Sequence, residues 1–155
     1  MISKKIATII FFLYIAFILN FIVFKFFGDF SDIINTIMIN QNRFTSDQAM
    51  LINLVPFQTI KHDVIYAPYN LLANIILFIP MGVLIPIIFP SFKSLFKTLS
   101  LCSAIIFLIE IIQRVTFLGS FDVDDIFLNL LGSLIGYILL KLLVSRVGDT
   151  EVDKS

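Results

Sequence analysis

Four long stretches of this chain, 6–27, 69–89, 95–112 and 126–143, are almost entirely apolar. A helix needs roughly 20 apolar residues to cross the hydrocarbon core of a bilayer. Each stretch meets or approaches that length. In lipid, every backbone polar group must be satisfied inside the protein, and a helix does this within a single segment. Only 14% of the 155 residues are charged, while 59% are hydrophobic and the mean hydropathy is +1.01. Soluble domains carry about 25% charged residues, so this chain cannot build a water-facing surface. The expected fold class is all-α: a polytopic membrane helical bundle with about four transmembrane helices. It forms one domain over 1–155, with a long first extracytoplasmic loop. Pro80 and Pro86 fall inside the second span. Proline removes a backbone donor, and spanning helices tolerate this when neighbours re-satisfy the freed carbonyls.

Net charge is zero, so no nucleic-acid partner is expected. The single cysteine, Cys102, stands in an apolar run and reads as a small buried hydrophobe. The lone His62, without cysteine or a second histidine, does not suggest zinc. The first apolar stretch follows Met1-Ile2-Ser3-Lys4-Lys5 and imitates a signal peptide. Its length, its phenylalanines and the lack of a small-residue cleavage site favour a retained span.

Lysine and arginine in short flanks set orientation. Lys4 and Lys5 precede the first span, Lys93 and Lys97 lie in the second connection, and Lys141, Arg146 and Lys154 follow or end the fourth. Assigning these flanks to the cytoplasm gives a multi-pass protein of the cytoplasmic membrane with both termini cytoplasmic. The first loop and the hinge between the third and fourth spans are then outside. Lys25 ends the first span and can snorkel to the headgroups. Within the first loop, Ile33, Ile34, Ile37 and Met38 share a helical face over 31–40. That pattern suits a short interfacial helix or a loop with a few apolar residues. Pro56 biases Val55 toward extended backbone, so the segment Asn53-Leu54-Val55-Pro56-Phe57 should approach the membrane as a non-helical stretch.

In this topology three helices carry polar side chains to one depth. Asn70 and Asn74 are at i and i+4 near the outer end of the second span. Glu110, Gln113 and Arg114 occupy the last turns of the third. Asp122, Asp124, Asp125 and Asn129 open the fourth. Ionisable groups near lipid are costly and mark functional sites by default. The candidate ligand-binding residues are therefore Asn53, Asn74, Glu110, Gln113, Arg114, Asp122, Asp124, Asp125 and Asn129, with Glu110 and Asp125 as candidate catalytic groups. Each also has a structural reading. The aspartates suit a helix N-terminus, Glu110 and Arg114 suit an i,i+4 ion pair, and Asn74 and Asn129 suit interhelical hydrogen bonds. Gly132 and Gly136 fit the small-xxx-small packing pattern. The three aspartates raise the possibility of Mg²⁺ or Ca²⁺, but their spacing fits no EF-hand loop. No metal or other cofactor is expected. No serine–histidine or cysteine–histidine pairing and no phosphate loop is visible, which disfavours acyl transfer by a triad.

Three blocks, in order and spacing, resemble the VanZ-like membrane proteins of bacteria. They are Asn53-Leu54-Val55-Pro56-Phe57; Asn74 to Gly82 (NIILFIPMG) with Pro86 following; and Glu110-Ile111-Ile112-Gln113 followed after a gap by Asp122 to Gly132 (DVDDIFLNLLG) and Gly136. The motif-bearing part covers 53–140. In the hinge, Gly119-Ser120-Phe121 stand where some relatives carry an arginine, leaving Arg114 as the nearest basic residue. The resemblance implies a compact helical protein of the cell envelope, of a family whose founding member is associated with low-level teicoplanin resistance. Together with the polar cluster, it leads to an expected role in binding an envelope lipid, a lipid-linked precursor or a lipoglycopeptide at the outer leaflet. Two alternatives stand beside it: a membrane enzyme acting on a lipid-linked phosphate or sugar, and a structural partner subunit of an envelope complex.

Overall fold

The computed structural model describes residues 3–24, 30–46 and 52–152. Among these residues, six α-helices and two very short strands follow in the order α1 (Lys4–Phe24), α2 (Phe30–Ser46), β1 (Ile52–Asn53), α3 (Gln58–Tyr66), α4 (Pro68–Ile88), α5 (Leu95–Val115), β2 (Phe121–Asp122) and α6 (Val123–Val152), with a single 3-10 turn at Pro90–Phe92 between α4 and α5. Four of them, α1, α4, α5 and α6, are long and apolar enough to cross a membrane. These are the four stretches legible in the sequence, and they make the chain an all-α polytopic bundle. Lys154, one of the cations used in assigning topology, and Lys25, read as snorkelling, lie outside the described residues.

The boundaries differ where polar residues enter a helix. α5 extends through Gln113 and Arg114 to Val115, past the end of its apolar run. α6 begins at the aspartates rather than after them. α4 starts with Pro68 at its first position, where a missing N–H costs nothing.

α4 is the central helix, packed on α6, α1 and α5. Its contact with α6 is glycine-made. A Cβ added to Gly132 would lie 2.0 Å from the Ile75 carbonyl oxygen, one on Gly136 2.0 Å from that of Ile79, and one on Gly82 1.8 Å from that of Ser133. Only hydrogen fits at these three positions, so the two backbones touch. Without a hydrophobic force between helices in lipid, such close van der Waals packing is what holds them. The structural reading of Gly132 and Gly136 is therefore correct.

The rest of the core joins Tyr14 and Ile18 of α1, Phe78, Met81 and Ile85 of α4, and Cys102, Ile106 and Ile109 of α5. Cys102 is fully buried, as its setting in the sequence suggests. Large apolar side chains such as Phe12 and Phe96 point outward, which is the arrangement lipid requires. Pro80 has no N–H to give to Ile76. In the neighbouring turn, Tyr14 Oη donates to the Leu77 carbonyl (2.8 Å), and Ser133 Oγ approaches the Phe78 carbonyl (3.5 Å). Side chains from α1 and α6 thus support the stretch of α4 that proline weakens.

The first loop holds more helix than expected. α2 runs beyond 31–40 to Ser46. Its Ile33, Ile37, Asn40 and Phe44 are half-buried, while Ile34 and Met38 remain exposed. After the non-helical stretch at 52–57 comes α3, nine residues long and mostly polar, a helix that no apolar periodicity marks.

Candidate functional site

The site begins with the hinge between α5 and α6. α5 closes at Thr116, whose Oγ1 donates back to the Ile112 carbonyl (2.7 Å). Phe117 then adopts a left-handed backbone (φ 59°), an outlier for a bulky residue. Its conformation is braced: Asn40 of α2 donates to its carbonyl (2.8 Å), and Phe44 packs on its ring. The turn delivers Phe121 and Asp122 into a parallel pairing with Ile52 and Asn53. This two-residue ladder ties the loop block containing Asn53 to the aspartate block, and no sequence spacing announced it.

The three aspartates then do three different things. Asp122 caps its own helix, Oδ1 accepting from the Asp124 N–H (2.8 Å), while Oδ2 accepts from Thr59 Oγ1 (2.6 Å) and Asn53 Nδ2 (3.2 Å). Asp124 is fully buried and caps a different helix: its oxygens accept from the N–H groups of Phe57 (2.6 Å) and Ile60 (3.1 Å), at the start of α3. Phe57 has φ 65°. The carboxylate grip and a stacked contact with Phe127, ring centroids 6.4 Å apart, hold it in this uncommon conformation. Asp125 reaches across to α4, accepting from Asn74 Nδ2 at 2.5 Å. Asn74 is thus an interhelical link, though its partner is a carboxylate.

These elements enclose a cavity of about 580 Å³ at the end of the bundle that bears the hinge. Six of the sequence-derived candidates line it: Asn74, Glu110, Gln113, Asp122, Asp125 and Asn129. Asn53 lines an adjoining cavity of about 430 Å³ that shares Thr59, His62, Ser120 and Asp122 with the first. Asp124 and Arg114 line neither. Glu110 is only 2% exposed and accepts from the Asp122 N–H at 3.4 Å. The i,i+4 ion pair with Arg114 does not form. Arg114 instead lays its guanidinium over the ring of Phe44, 4.7 Å from the centroid, with Phe117 6.0 Å away. The α2 aromatic at this helix end offers the cation a face that the sequence could not reveal.

The loop helices contribute side chains that the candidate set omits. Thr59, His62 and Asp63 of α3 and Arg43 of α2 all line the larger cavity. Asp63 is buried, its Oδ1 2.8 Å from His62 Nδ1 and its Oδ2 accepting from Asn70 (3.4 Å). The spacing of 59, 62 and 63 on one helical face was the available signal; it went unread because α3 itself was not foreseen.

The polar part of the lining combines carboxylates and amides with the Thr59 and Ser120 hydroxyls, the His62 imidazole and the Arg43 guanidinium, and apolar residues of α1, α4 and α5 complete it. Among the described residues that line it, one buried polar atom has no hydrogen-bond partner: Asn129 is 4% exposed, and its Oδ1 forms no hydrogen bond. Buried polar groups are rarely left unsatisfied, and each exception needs a reason. Among the described residues, no cluster of three or more His, Cys, Asp or Glu has an arrangement that could hold a metal ion.

A family model described as VanZ/LLP1 matches residues 11–144 of the chain. No curated protein and no solved structure matches it.

Proposed function

The chain belongs to the VanZ-like family of membrane proteins, and from that premise we propose that it uses the polar cavity to bind the headgroup of an envelope lipid or lipid-linked precursor at the outer leaflet. The observation that supports this reading is the cavity of about 580 Å³, whose lining combines apolar residues of α1, α4 and α5 with polar residues of α2 to α6. An acyl-bearing ligand presents those same two characters. The ligand-binding roles of Asn74, Glu110, Gln113, Asp122, Asp125 and Asn129 belong to this proposal. Asn53 contributes from the adjoining cavity. Asp124 and Arg114 act by holding α3 and α2 in place.

The family is linked to teicoplanin resistance, and the reading gives that link a physical form. Teicoplanin carries an acyl chain and works at the outer leaflet; vancomycin lacks the chain. A protein that alters the leaflet's exposed headgroups should discriminate between the two drugs. Raised expression in a Gram-positive host should increase tolerance to teicoplanin more than to vancomycin. Alanine at both Asp125 and Asn129 should erase the difference at unchanged membrane abundance. Equal protection against both drugs, or none from a well-expressed protein, counts against it.

The enzyme reading is favoured by one observation, the His62–Asp63 hydrogen bond at the cavity wall (2.8 Å), which orients an imidazole as a base is oriented in general acid–base sites. Under that reading Glu110 and Asp125 are the acid and base partners. His62→Gln would then abolish turnover of a lipid-linked substrate, whereas a binding site would show only graded loss of affinity.

A further inference from the structure

α2 turns two apolar stripes toward two different surroundings. Ile33, Ile37 and Phe44, with Asn40 among them, are half-buried against the protein. Phe30, Ile34 and Met38 follow at i, i+4 and i+8 on the neighbouring stripe and are 69%, 44% and 56% exposed. Ser31, Asn35, Asn42 and Ser46 make an exposed polar stripe beyond it, with Ile39 the apolar exception further round. Both ends of α2 belong to one end of the bundle. α1 ends at Phe24 and α2 starts at Phe30, so the link between them reaches at most about 20 Å. The second half of α2 is fastened to the turn after α5: Asn40 Nδ2 donates to the Phe117 carbonyl (2.8 Å), and Phe44 meets the Phe117 ring and the Arg114 guanidinium. With α4 crossing between them, α1 and α5 end on the same side of the membrane. α2 has 17 residues and is too short and too polar to cross. At about 25 Å long, and tied at both ends to one side, it lies along the surface. Standing out into water would leave the stripe of Phe30, Ile34 and Met38 fully hydrated, which the hydrophobic effect opposes.

We infer that α2 is an in-plane helix docked through Phe30, Ile34 and Met38 on the acyl chains of the leaflet at the hinge end. The occupant of this stripe is lipid hydrocarbon, continuous with the lipid that surrounds the neighbouring spans. Asp32 and Arg43 are the charged residues of α2, whereas interfacial helices that rely on anionic lipid are rich in lysine and arginine. Attachment is therefore by apolar burial, indifferent to anionic lipid and to salt. The posture also sets the level of the cavity. Arg43, on the side of α2 away from the lipid stripe, lines it, so the lining reaches the headgroup layer. None of this depends on what the cavity binds.

The chain contains no tryptophan, so a single introduced indole reports its depth without background. Full-length protein carrying Ile34→Trp, Met38→Trp, Asn35→Trp or Asn42→Trp should be reconstituted in phosphatidylcholine vesicles with a spin label either near the top of the acyl chain or near its middle. The indoles at Ile34 and Met38 should lie about 5–10 Å below the headgroup boundary. Their emission should be blue-shifted, quenched most by the shallow label and little by aqueous acrylamide. The indoles at Asn35 and Asn42 should be quenched mainly by acrylamide. Replacing part of the phosphatidylcholine with phosphatidylglycerol, or raising the salt, should leave both patterns unchanged. Where a tryptophan variant does not fold, a cysteine at the same position in a Cys102→Ala background, carrying a polarity-sensitive fluorophore, gives the same readout. Acrylamide quenching at Ile34 and Met38 equal to that at Asn35 and Asn42 would overturn the docking, as would strong quenching of all four positions by the mid-chain label. Burial at Ile34 and Met38 that appears only with anionic lipid would overturn the apolar mode of attachment.

Discussion

Asn74 of α4 donates to Asp125 of α6 at 2.5 Å, joining two residues 51 positions apart at the wall of the cavity. The bond locks the two central helices at the level of the polar layer. Asn74→Leu removes the donor and leaves a carboxylate with less support. An interhelical hydrogen bond in a membrane is worth about 1–2 kcal/mol at the upper end, so this variant should be destabilised by up to that amount and melt at a lower temperature. Asp125→Asn keeps a partner for Asn74 and removes the charge; its melting temperature should fall less than that of Asn74→Leu. Thermal melts in detergent decide the order. A more damaging Asp125→Asn would mean that the charge, not the hydrogen bond, holds the helices.

Below that bond the helices meet through hydrogen atoms. Gly132→Ala or Gly136→Ala drives a methyl into the Ile75 or Ile79 carbonyl. Overpacking of this kind costs typically about 1–3 kcal/mol, and here the obstacle is backbone, which gives little. Both variants should show reduced yield of monodisperse protein on size-exclusion chromatography. Gly119→Ala is the control, because its methyl would meet only Gln113 side-chain atoms at 3.5 Å or beyond. Matching yields for all three would contradict the close α4–α6 contact.

The spans were legible because lipid imposes one simple demand on length and polarity, and 69–89 differs from α4 by a single residue at each end. The glycine seam was legible for the same reason, through the Gly132 and Gly136 spacing. The convergence of Asn74, Glu110, Asp122, Asp125 and Asn129 could be read from their depth along each helix. What could not be read was the first loop. α3 is mostly polar and has no capping side chain of its own; Asp124, 64 residues from Ile60, supplies the cap. Local sequence therefore carries no start signal for α3, and its His62 and Asp63 were missed with it. Arg114 misled for a related reason. An i,i+4 glutamate is visible in sequence, while the Phe44 ring that takes the guanidinium is not.

Orientation rests on the lysine distribution and is open to direct measurement. In a Cys102→Ala background, single cysteines at Phe57 and Ser120, both exposed at the hinge end, should react with an impermeant thiol reagent added to intact cells. A cysteine at the exposed Ser94, in the connection before α5, should react only after the membrane is opened. Labelling of Ser94→Cys from outside would invert the molecule and turn the cavity toward the cytoplasm.

The central claim is that the polar cavity holds a lipid headgroup. Native mass spectrometry of the purified protein tests it most directly, comparing wild type with the Asp125→Asn/Asn129→Leu double variant. The account predicts one phospholipid-mass adduct per wild-type chain that survives detergent removal and is lost in the variant. Wild-type protein emerging bare, or both proteins carrying the same lipid to the same extent, would contradict it.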